Sequence, residues 1–166
     1  LADQGQHRLA SDSYARVPTD DPMFFMAEVG RADALREDGQ TEASLEVLRG
    51  LARSQPGLMP VHLALGDALR REERFADAVA AYDQAAALVE TPARQHWPLY
   101  YSRGVCLERL GRWPEAEADM RKALDLNPDE PQVLNYLGYS FVDRGQHLDE
   151  ALEMIQRAVL ARPDSG

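Results

Sequence analysis

Residues 97–130 read WPLYYSRGVCLERLGRWPEAEADMRKALDLNPDE, and these 34 positions decide the fold. Tyr100, Gly104, Leu107 and Leu110 recur at 3–4 spacing and make one apolar stripe of a helix. Gly111 stops that helix, because glycine enters the left-handed conformation of a helix end without a Cβ clash. Pro114 stands just inside a second helix, where its missing N–H costs nothing. Ala116, Met120, Ala123, Leu124 and Leu126 mark the buried side of this second helix. Asn127-Pro128-Asp129 ends it, since the residue before a proline is pushed out of the α region. Gly104 and Ala116 predict a close approach of the two helix backbones, and Ala123 lets a following unit nest against them.

The same pattern extends in both directions. Gly5, Gly39, Gly111 and Gly145 form a ladder with Glu73 in the intervening slot, at steps of 34, 34, 38 and 34 residues. Ala32, Gly66, Gly104 and Gly138 keep those steps, as do Leu35, Leu69, Leu107 and Phe141. Prolines 56, 128 and 163, with Pro22, close the units. A fixed period of this length is the mark of a repeat protein, in which each helix pair buries its apolar side against the next. The divisions are residues 1–22, the second helix of a truncated unit that Pro18 ends early; 25–58, a degenerate unit; 59–96, with four extra residues; 97–130; and 131–165, with one extra residue. In the degenerate unit Ser44 and Leu51 replace two small alanines, so looser or shifted packing is expected there. The four extra residues fall within 89–97 and either lengthen a helix or loop out. The single extra residue lies within 145–150 and makes a longer turn, an insertion that loops absorb at low entropic cost. No strand-length alternation occurs. The fold class is therefore all-α, an α-solenoid of stacked antiparallel helix pairs with about nine helices.

Composition narrows the function. The 166 residues carry 18 Lys and Arg against 28 Asp and Glu, a net charge of −10, which argues against nucleic acid and anionic lipid as partners. No apolar run approaches the roughly 20 residues of a membrane span. Cys106 is the only cysteine, so an internal disulfide and a cysteine-rich metal knuckle are excluded. Lys122 is the only lysine, and with the abundant alanine this bias points to a GC-rich, bacterial genome.

Catalytic constellations fail one by one. His7, His62, His96 and His147 lie in different units without metal spacing. His62 reads as a packed core residue, His7 and His147 as surface turn residues, and Cys106 as a small buried hydrophobe. Asp125-Leu126-Asn127-Pro128-Asp129 imitates the start of a calcium loop, but Glu130 occupies the required glycine place and Tyr136 the terminal glutamate place. There is no phosphate-binding glycine loop. The reading is non-catalytic, with no cofactor and no metal.

The unit resembles the tetratricopeptide repeat (TPR). The matching residues are Tyr100, Arg103-Gly104, Leu107, Gly111, Ala116, Met120, Ala123 and Pro128; then Leu134, Leu137-Gly138, Phe141, Gly145, Ala151, Ile155, Ala158 and Pro163; and His62, Leu65-Gly66, Leu69, Phe75, Ala78, Tyr82 and Ala85. The resemblance covers nearly the whole chain and implies a right-handed superhelix whose first helices line a concave groove for a partner peptide or helix. The groove would carry Val29, Asp33 and Arg36; then Leu63, Asp67 and Arg70; then Tyr101, Val105 and Glu108; then Asn135, Tyr139 and Val142. Tyrosines suit recognition because they bring large rigid area and a hydroxyl, although Tyr101 and Tyr139 could instead stack on neighbouring units. The family's carboxylate clamp needs lysines and asparagines in the groove. Lys122 falls on a second helix, so binding of chaperone tails is disfavoured.

The resemblance to multi-repeat TPR proteins of proteobacteria rests on 112–119 and 135–140. It implies an adaptor that binds another protein, in the periplasm or as an outer-membrane lipoprotein, with the cytoplasm also open. Two alternatives stand beside it: a docking or regulatory region of a larger enzyme such as a glycosyltransferase, and a self-assembly module. The chain starts at Leu1 without a leader and stops after the last helix pair, so it reads as a segment with uncovered apolar ends. End-to-end packing on another copy is the expected consequence.

Overall fold

The computed structural model describes residues 2–161, with side chains from position 5 onward. These residues form α1 (Ala2–Tyr14), α2 (Phe24–Glu37), α3 (Thr41–Ser54), α4 (Met59–Arg71), α5 (Phe75–Ala87), α6 (Trp97–Arg109), α7 (Trp113–Leu126), α8 (Pro131–Arg144) and α9 (Leu148–Ala161), with no strand among them. The chain divides into two compact units, 1–89 and 90–166. In the first, α2 pairs with α3 and α4 with α5, while α1 packs on α2 and α3 on α4. In the second, α6 pairs with α7, α8 with α9, and α7 packs on α8. Pro163, expected to close the last unit, lies outside the described residues.

One turn recurs inside each pair, and its geometry explains the glycine ladder. After α2, α4 and α6 the chain passes through a left-handed residue: Gly39 at φ 79°, Glu73 at 55° and Gly111 at 75°. The next N–H then bonds back to the helix, as Gln40 to the Leu35 carbonyl, Arg74 to Leu69 and Arg112 to Leu107, each at 2.8–2.9 Å. Glutamate at 73 adopts the strained conformation that its slot requires. The last turn repeats this bond, from Gln146 to the Phe141 carbonyl at 2.9 Å, and then adds a residue. Gly145 is left-handed at 63°, and the extra residue, His147, is left-handed as well at 47°. His147 lays its ring 4.9 Å from that of Phe141.

The small residues do what their spacing predicts. A Cβ on Gly104 would stand 3.2 Å from the Ala116 carbonyl oxygen, and one on Gly138 would stand 2.9 Å from Ile155 Cγ1. The degenerate pair uses a polar substitute. The buried Ser44 hydroxyl donates to the Ala32 carbonyl at 2.6 Å, and Leu51 is buried in place of the missing alanine. The four-residue insertion loops out: α5 ends at Ala87, and a 3-10 turn at Arg94–His96 precedes α6. His96 Nδ1 accepts the Ala93 N–H at 2.9 Å and so fixes that turn. His62 is buried, with its Nε2 2.7 Å from the Pro56 carbonyl oxygen. Cys106 is fully buried.

Two local expectations are corrected. Leu110, the last member of the quoted stripe, is 39% exposed, because α6 has ended at Arg109 and the chain is already turning. His7 lies within helix α1 rather than on a turn and reaches Glu37 of α2 at 3.0 Å.

Candidate partner-binding surface

In the first unit a cleft of about 170 Å³ opens between α2, α3 and α4. Val29, Asp33, Arg36 and Asp67 line it, as the first-helix face requires, together with Ser44, Ala64 and Arg71. Leu63 is half-buried on α4 outside this cleft. Arg70 is drawn aside, where its Nε donates to the Tyr82 hydroxyl at 3.3 Å. That hydroxyl donates in turn to Asp67 Oδ1 at 2.7 Å. Burial, and then the Asp67 carboxylate, push the Tyr82 phenol far above its ordinary pKa, so it stays a neutral donor that fixes Asp67 in the cleft wall. Tyr82 belongs to α5, and periodicity marks it only as a core residue.

In the second unit a larger cleft of about 550 Å³ is lined by Glu108 and Arg109 of α6 and by Gln132, Asn135, Tyr136, Tyr139, Ser140 and Asp143 of α8. Glu108, Asn135 and Tyr139 are the expected residues. Tyr139 is 57% exposed and Val142, on the same helix, is 47% exposed. Val105 is half-buried. Tyr101 is half-buried and serves another purpose. Its ring meets Tyr136 edge to face at 5.8 Å and lies 6.1 Å from Trp97. The stacking alternative therefore holds for Tyr101, while the Tyr139 ring stands open.

Tyr136 is the residue that sequence reasoning missed. Its hydroxyl donates to Glu108 Oε2 at 3.3 Å, and Arg144 Nη2 donates to Glu108 Oε1 at 3.1 Å. Burial, followed by the charge of Glu108, pushes the Tyr136 phenol up, which keeps it a neutral donor. Arg144 also lies over the Trp113 ring at 4.2 Å. The available signal was the 132/136/139/143 spacing, which places all four residues on one face of α8.

Among the described residues no group of three His, Cys, Asp or Glu side chains could hold a metal ion. No helix among them is long and apolar enough to cross a membrane.

Residues 63–131 match the family model described as tetratricopeptide repeat. These residues are tetratricopeptide repeats. Over 157 residues it is 29% identical to the TPR repeat-containing protein PA4667 of Pseudomonas aeruginosa, covering 93% of this chain and 26% of that one. Over 95 residues it is 36% identical to the cytochrome c-type biogenesis protein CycH of Rhizobium meliloti, covering 56% of this chain and 24% of that one. It thus spans about a quarter of the length of either relative. A crystal structure of MamA superposes on this TPR array with a TM-score of 0.78 at 19% identity, over 96% of this chain and 91% of that one. That likeness is one of fold.

Proposed function

We propose that the TPR array is a non-catalytic adaptor that receives a peptide or helix of another protein on its first-helix faces, with the α6–α8 cleft as the principal contact. The observation that carries this reading is the open Tyr139 ring at a cleft with ordered walls. Glu108 and Tyr136 are already tied to each other, so binding does not have to order them. Tyr139 supplies the exposed aromatic anchor, and Asn135 supplies an amide able to pair with a peptide backbone. The first unit contributes a second recognition surface of mixed charge, with Asp33, Arg36 and Asp67. The bacterial relatives suit an adaptor of bacterial origin, and an exported setting is part of the same proposal. CycH is named for cytochrome c biogenesis, an assembly task of the kind an adaptor serves.

The test is affinity capture from the source organism with the parent protein and with Tyr139→Ala, followed by calorimetry on the captured protein. Loss of the central ring should weaken binding by ~1–2 kcal/mol. Equal affinity for both proteins would remove the α6–α8 cleft from the account.

A further inference from the structure

Resting on the docking reading above, we infer that the α6–α8 cleft selects a basic segment, one that places an arginine or lysine side chain against Tyr139 and Asp143. All but one of the charges at the cleft are already engaged. Glu108 is engaged at both carboxylate oxygens, by Tyr136 and Arg144. Arg144 is committed to Glu108 and to the Trp113 ring. Arg109 has an interaction of its own. Asp143 is exposed, and no hydrogen bond or ion pair engages it among the described residues. The uncommitted charge at this lining is therefore a carboxylate.

Asp143 follows Tyr139 by four residues, so both side chains rise from the same face of α8 one turn apart. A guanidinium or ammonium lying over the exposed phenol ring would meet the carboxylate beside it, combining a cation–π contact with an ion pair. Helix ends reinforce the preference. Glu108 and Arg109 lie in the last turn of α6, and Asp143 in the last turn of α8. The C-terminal ends of both helices carry partial negative charge, which favours a cation. Gln132, Asn135 and Ser140 on the same lining offer neutral donors and acceptors to the backbone of the segment. The chain as a whole, at a net charge of −10, steers a basic partner inward and repels an acidic one.

The experiment pans a random dodecapeptide phage library on the whole protein, with parallel selections on Tyr139→Ala and Asp143→Lys. Both positions are exposed, and circular dichroism melts verify that each variant stays folded. Peptides that bind the parent and are lost on Tyr139→Ala should be enriched in arginine and lysine. Synthesised singly, they should bind Asp143→Lys about fivefold more weakly than the parent and lose affinity as salt is raised. Tyr139-dependent peptides that are acidic or uncharged, or that bind Asp143→Lys as well as the parent, would overturn the basic-segment inference and leave the docking reading standing. Failure to select any Tyr139-dependent peptide would overturn both.

Discussion

At the scale of single residues, two helix glycines should respond in opposite directions to the same change. Gly66 faces the Tyr82 ring so closely that a Cβ would stand 2.6 Å from Cε1. That ring is buried and its hydroxyl is bonded to Asp67 and Arg70, so it cannot swing away cheaply. Gly66→Ala should cost about 1–3 kcal/mol. Gly50 lies inside α3, where a Cβ would meet only Arg53 Nη2 at 3.9 Å. Gly50→Ala should stabilise by about 0.5–1 kcal/mol, because the unfolded chain loses freedom and the helix gains a better former. Thermal melts of the two variants check both signs. The first position was legible in the sequence as one rung of the Ala32–Gly66–Gly104–Gly138 ladder. Its partner was not. Periodicity places Tyr82 in the core but says nothing of where a hydroxyl finds an acceptor, and the Tyr136–Glu108 bond escaped for the same reason.

Between elements, the array is tied by charges that the repeat pattern does not announce. Arg103 of α6 grips Asp119 of α7 through two bonds of 2.7 and 2.8 Å, with both side chains largely buried. Asp119→Ala would remove the acceptor of both bonds and should cost about 2–4 kcal/mol, readable by chemical denaturation. A second tie crosses from α7 to α9, where Arg121 donates to both oxygens of Glu150 at 2.7 and 3.0 Å. The Arg121 bond holds the Glu150 carboxyl below the ordinary carboxylate range, and burial opposes this to a lesser degree. A carboxyl depressed in the folded state contributes stability above its unfolded pKa and loses it as pH falls through the folded value. The Tm gap between the parent and Arg121→Ala should therefore be widest near neutral pH and narrow towards about pH 3. A gap independent of pH would assign the effect to packing, since Arg121 also lies 5.3 Å over the Phe141 ring. Sequence spacing was enough to read the chain as all-helical, as the described residues are. It left open whether residues 89–97 lengthen a helix, because the alanine, arginine and glutamine there suit helix and loop equally; the His96–Ala93 bond settles the choice.

At the scale of the whole molecule, an apolar face of α9 stands exposed among the described residues. Leu148, Leu152 and Val159 are each more than half exposed, whereas Leu45, which follows Ser44 as Leu152 follows Ala151, is buried. An apolar stripe of this kind favours association. Light scattering should rise with protein concentration, and Leu152→Glu with Val159→Glu should abolish the rise; a parent that scatters as a monomer throughout would refute it. A partner is proposed to dock elsewhere, on the first-helix surface. Site-specific photocrosslinking in the source organism tests it most directly, with the crosslinker at position 139 of α8 or at position 153 on the exposed side of α9. Position 139 should give a discrete adduct with another protein, and position 153 none beyond an adduct with a second copy of this chain. An adduct with another protein from 153 and none from 139 would contradict the docking proposal.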